Sequence, residues 1–209
     1  KPLLWYHFCA HPVCYQDTQA GPDWPGIVAD RIRPEPGFLQ GHIGDVNPGD
    51  GTKWIGDPMQ TAEAIAPALH RAMGHGDMVE IDALRIVNGA VELPFDMERF
   101  RADIDMYKTQ PEKCVDGVWV DAGFAKAWSE LAAKWDVNVT SYSAPIGAMR
   151  LGTLVVLFHP AELYSFYGLQ LRTSAPAPNV IAVGYCDDFV GYLTDPKAYE
   201  DKEYAAVVV

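Results

Sequence analysis

Apolar residues in this chain follow two rhythms that alternate along its length, and neither rhythm runs long. Strand-length apolar runs at 3–9, 148–158 and 179–185 are separated by stripes spaced for a helix. The stripes are Met59, Ala62, Ile65, Ala66, Leu69 and Met73; Met97, Phe100, Ile104 and Tyr107; and Ala125, Trp128, Leu131, Ala132 and Trp135. Strands interleaved with one-sided helices must bury both kinds of face in one layered core. The pattern therefore predicts an α/β fold, a layered mixed sheet flanked by helices.

Local signals place the elements. Gly21, Pro22, Pro25, Pro34 and Pro36 confine 17–36 to loops around at most one short helix. A short strand at 38–41 runs into a Gly/Asp/Pro/Asn-rich loop at 44–51. Asp57-Pro58 predicts a helix start, Gly74 its end, and Pro67 a kink. Residues 78–93 alternate around Asn88-Gly89, a hairpin signal. Asp96 and Asp121 are expected helix caps. Strands are expected at 137–143, 148–158 and 179–185, and helices at 161–172 and 196–204.

The chain has 209 residues, enough for one domain or part of one. An apolar share of 49% with 21% charged residues marks a globular chain rather than a disordered one. The net charge of −12 and the lack of any basic stripe argue against nucleic-acid binding. No apolar run approaches the roughly 20 residues of a transmembrane helix. The apolar opening Pro2-Leu3-Leu4-Trp5-Tyr6 reads as a strand that something precedes. Cys9, Cys14, Cys114 and Cys186 fit either buried thiols or one or two disulfides.

Polar residues of chemical interest follow the strands. His11 follows the first strand, Asp45 and Asn47 the second, Glu162 the run ending at Phe158, and Tyr192 the run at 179–185. Sites in open α/β sheets gather at such carboxyl ends. Each residue also has an ordinary reading: a core histidine, turn residues, a helix-start glutamate, a packed tyrosine. Together, a His, a Glu and a Tyr could serve as the roughly three protein ligands of a hydrolytic zinc site. No GxSxG, HExxH, P-loop or GxGxxG occurs.

Four segments in order resemble the neutral/alkaline ceramidase family. They are Phe8-Cys9-Ala10-His11-Pro12, the stretch Phe38-Leu39-Gln40-Gly41-His42-Ile43-Gly44-Asp45-Val46-Asn47-Pro48, Phe158-His159-Pro160-Ala161-Glu162, and residues 184–199 with Tyr192-Leu193-Thr194. The resemblance covers about the second half of the family's catalytic domain and implies a ceramidase catalytic-domain-like fold. It implies that His11, Glu162 and Tyr192 are zinc ligands and that Tyr204 stabilises the oxyanion. It implies a secreted or periplasmic hydrolase that splits N-acyl-sphingosine or another amide with a metal-activated water.

This sequence departs from the family pattern at three points. The family's remaining zinc histidine lies upstream of this chain, so an N-terminal half or a second chain is expected to supply it, in preference to His42 or His159. The family's active-site serine aligns with Asn47, whose amide can donate to a carbonyl oxygen but cannot attack it. Proton transfer then falls to Asp45 or Asp23. Ala161 stands where the family has glycine. The competing expectation is a non-catalytic ceramidase-like subunit or binding protein that has lost the nucleophile.

Overall fold

The computed structural model describes residues 3–15, 17–81, 83–113, 122–136 and 138–206. Cys114, the Asp121 cap and the tail beyond residue 206 lie outside them.

The first strand, β1 (Trp5–Phe8), pairs in parallel with β2 (Gly37–Gln40). Between them runs α1 (Asp23–Arg31), the one short helix expected among the prolines. Next comes α2 (Pro58–Gly74), capped by the Asp57 carboxylate, which accepts from the backbone N–H groups of Met59 and Gln60. It continues through Pro67. Tyr6, Ala10, Trp24, Val28, Ile32, Ala62, Ile65 and Ala66 form one core, so α1 and α2 pack over the β1–β2 pair.

The larger sheet holds β3 (Leu84–Pro94), β4 (Ser141–Leu151), β5 (Leu154–Phe158) and β7 (Asn179–Val183), in that order. The β3–β4 and β4–β5 pairs are antiparallel and β5–β7 is parallel, so the sheet is mixed as expected. Helices α3 (Met97–Tyr107) and α4 (Ala122–Ala132) pack on each other through Ile104, Tyr107 and Ala125. Asp96 caps α3, accepting from the Arg99 N–H.

The structure corrects six local expectations. Asn88-Gly89 is not a turn: both lie inside β3, opposite Gly147 and Ile146 of β4. The hairpin falls instead between β4 and β5, where Gly152 takes φ +54° and breaks the run expected at 148–158. A turn there needs a left-handed residue, which glycine adopts freely. β4 begins at Ser141, not at 137. Glu162 is not in the first turn of a helix: it belongs to β6 (Glu162–Leu163), and α5 (Ser165–Ser174) starts after it. Nor do β7 and the last helix run as far as expected: β7 stops at Val183, and α6 (Pro196–Asp201) stops before left-handed Lys202 (φ +58°), with Tyr204–Ala206 a separate 3-10 turn.

Cys9, Cys14 and Cys186 are free thiols. Cys9 Sγ lies 3.4 Å from Nδ1 of His42, which is buried. His159 Nδ1 accepts from the Ala161 N–H at 3.3 Å, and its Nε2 is buried without a hydrogen-bond partner. Burial, with His42 nearby, pushes the His159 pKa down to about 4; burial also lowers those of His7 and His42. A histidine whose folded pKa is depressed adds stability above its unfolded value near 6.5, and that stability is lost as pH falls toward the folded pKa. For His159 the loss is roughly 3 kcal/mol. Urea unfolding at pH 7 and pH 4.5 should show a marked acid loss in the native protein and a smaller one in His159→Gln.

Candidate metal centre

Backbone hydrogen bonds draw four segments to one place. The His11 N–H donates to the Val46 carbonyl at 2.9 Å, joining the end of β1 to the loop after β2. The Gly44 N–H donates to the Leu163 carbonyl at 3.0 Å, joining that loop to β6. β6 pairs in parallel with β8 (Tyr192–Leu193), which sets Glu162 directly beside Tyr192. Tyr204 then folds back onto Tyr192.

His11 Nε2 lies 3.6 Å from Glu162 Oε2, and each side chain is only 12% exposed. The His11 ring also interacts with the backbone of Gly44. Metal-binding histidines usually donate their second N–H to such a partner, which fixes the tautomer and ring orientation. Burial lowers the His11 pKa, which favours the neutral ring that a metal ligand needs. The Tyr204 hydroxyl donates to the Tyr192 hydroxyl at 3.2 Å. The Tyr192 ring lies edge-on to His11 at 6.4 Å, and its hydroxyl hydrogen-bonds the Glu162 carboxyl.

The electrostatics of this cluster are unbalanced. Burial raises the Glu162 pKa, with Tyr192 and Tyr185 opposing the rise. Burial, the Tyr204 bond and the Glu162 charge push the Tyr192 phenol far above its usual range. Two acidic oxygens and a neutral imidazole nitrogen thus converge in a desolvated place. That donor set suits a divalent cation, which would remove the penalty on both oxygens. Among the described residues no group of three or more His, Cys, Asp or Glu could share an ion. Neither His42, His159 nor Asp45 therefore completes the His11–Glu162 pair; the remaining polar side chain beside it is the Tyr192 phenol.

Asn47 is half-buried, one residue beyond the Val46 carbonyl that binds His11. Asp45 is exposed, and its two oxygens accept from the backbone N–H (2.7 Å) and Oγ (2.6 Å) of Ser165. It caps α5, whose own N-cap residue, Tyr164, provides no side-chain bond. Asp45→Ala should cost about 1 kcal/mol in urea unfolding and Asp45→Asn much less, since asparagine caps nearly as well. Asp23 is 5% exposed, and its oxygens accept from the backbone N–H groups of Tyr15 (2.9 Å) and Trp24 (2.7 Å). Of the two acids, only Asp45 is felt electrostatically at His11.

Reading the sequence did not single out Tyr185. Its phenol hydrogen-bonds Glu162, and its backbone is left-handed, with φ +59°. Only the adjacent Gly184 hinted at a turn there.

No protein-family model and no curated protein matches the chain. Solved structures do. A neutral ceramidase from Pseudomonas aeruginosa superposes with a TM-score of 0.64 at 18% identity, over 98% of this chain and 40% of that one. A ceramidase complexed with C2 superposes with a TM-score of 0.61 at 17% identity, over 98% of this chain and 42% of that one. The chain thus has the fold of about two fifths of a neutral ceramidase.

Proposed function

We propose that this chain carries the metal-binding part of a zinc-dependent amide hydrolase, with His11, Glu162 and Tyr192 as ligands. The convergence of His11 Nε2 and Glu162 Oε2 at 3.6 Å in a desolvated place, beside a phenol, supports this reading most strongly. The ceramidase-like fold and the order of the four motifs support it independently. The substrate is N-acyl-sphingosine or another amide. A further histidine comes from the part of the ceramidase fold outside this chain, or from a second chain.

Zinc in such a site polarises a carbonyl and lowers the pKa of water. The residues of the chain do the rest. His11 is held against Gly44 and faces Glu162 through Nε2. Glu162 and Tyr192 are fixed side by side by the parallel β6–β8 register. Tyr204 OH and the Asn47 amide are donors for the carbonyl oxygen as negative charge develops on it. Asp45 is the better placed acid for taking a proton, because it is exposed and acts electrostatically on His11, whereas Asp23 is buried on backbone amides. The aligned serine is absent, so attack does not come from the side chain at position 47.

The test is amine release from a panel of N-acyl amines, N-acyl-sphingosine included, before and after chelation. Release that stops on chelation and returns with zinc is expected. A zinc-loaded protein that releases nothing would instead favour a non-catalytic ceramidase-like subunit, the reading that Asn47 in place of serine brings forward.

A further inference from the structure

The loop from Gly184 to Gly191 crosses the metal centre, and its backbone is fastened at both ends. The Gly184 N–H donates to the Gln40 carbonyl (3.0 Å), and the Cys186 N–H to the His159 carbonyl (3.0 Å). At the far end the Val190 N–H donates to the Pro160 carbonyl (2.9 Å), and the Glu162 N–H to the Gly191 carbonyl (2.8 Å). Tyr142 OH hydrogen-bonds the Asp188 carboxylate in the middle. Within this frame Tyr185 (φ +59°) and Asp187 (φ +65°) are both left-handed. Aspartate tolerates that region, whereas a bulky aromatic is an outlier there. Such strain persists only where the surroundings over-determine it, and it concentrates at working sites.

The strained backbone delivers a specific side chain. The Tyr185 ring stacks on Phe189 at 5.7 Å with 9° between the planes, which sets its direction. Its hydroxyl comes within reach of the Glu162 carboxyl, as the Tyr192 hydroxyl does. We propose that Tyr185 is a positioning residue for Glu162, holding its carboxyl toward His11 from a left-handed backbone braced by Phe189. The inference rests on Glu162 being a metal ligand, as proposed above.

The test is zinc affinity, by competition with a chromophoric chelator, alongside the visible spectrum of the cobalt-loaded protein. Tyr185→Phe keeps the ring and its stack but loses the hydroxyl. It should bind zinc about tenfold more weakly, as outer partners of metal ligands do when removed, with a shifted cobalt spectrum and an unchanged unfolding midpoint. Tyr185→Gly relieves the backbone, so its midpoint should not fall, yet its zinc affinity should drop at least as far. A purely structural Tyr185 would move stability and affinity together. Should Tyr185→Phe not fold, Phe189→Ala, which unbraces the ring, carries the same expectation for zinc and cobalt. Wild-type zinc binding with Tyr185→Phe equal to it in affinity and spectrum would overturn the proposal and leave the metal centre standing. No zinc uptake by the wild type would remove the metal centre and this inference with it.

Discussion

Glu162→Gln should lower zinc affinity by on the order of 100-fold or more, beyond what loss of an outer partner does, and should stop amide turnover. Glutamine has nearly the same shape, and the β6–β8 pairing that holds position 162 is made by backbone. The fold should therefore persist. Stability should move the other way. The folded pKa of Glu162 is raised by burial, so the stability linked to it is present below its unfolded value and lost as pH rises through the folded one. At neutral pH the buried carboxylate without metal is thus a burden, which the neutral amide removes. The metal-free variant should melt at or above the wild-type temperature at pH 7. Gain in stability with loss of metal is what a residue retained for function shows. Chelator competition and thermal unfolding on the same preparations check both halves. A variant that keeps zinc, or one that melts far lower, would contradict the assignment.

Gly44→Ala should damage both the fold and the site, although no functional group changes. A Cβ on Gly44 would stand 2.6 Å from the Glu162 carbonyl oxygen and 2.6 Å from the Tyr164 ring. The first of these is backbone and cannot swing aside. The same residue donates its N–H to Leu163, and its backbone meets the His11 ring. The methyl therefore pries the loop at 44–47 away from β6, and with it His11 away from Glu162. Overpacking of this kind costs about 1–3 kcal/mol, several degrees of melting temperature for a chain this size. A ligand misplaced by about an ångström can cost 100-fold in turnover. Thermal unfolding and amine release measure the two effects. An alanine variant with native melting and native turnover would show that the two segments are not locked as described.

Much of this site was legible as residue types at strand ends. His11, Glu162, Tyr192 and Tyr204 do gather, through the backbone bonds from His11 to the loop after β2 and from that loop to β6, the β6–β8 pairing and the Tyr204–Tyr192 contact. What a linear reading missed came from partners distant in the chain. Asn88-Gly89 has the composition of a turn, but β4 pairs with all of β3 and holds it extended, and that partner begins about fifty residues later. Glu162 reads as the start of a helix because α5 follows closely, yet its strand conformation is imposed by Tyr192, thirty residues on. Asp45 reads as an acid in a turn, and only the fold brings Ser165 to it. Beyond the adjacent Gly184, Tyr185 left no local signal, because a left-handed tyrosine is disfavoured by its own chemistry and stands only through the bonds that fasten its loop.

The central claim is that His11, Glu162 and Tyr192 share one metal ion. Crystals of the protein grown with zinc, with anomalous diffraction recorded on both sides of the zinc absorption edge, address it most directly. The account predicts one edge-dependent peak bounded by His11 Nε2, the Glu162 carboxylate and the Tyr192 hydroxyl. A zinc peak elsewhere, or none between these three side chains, would contradict it.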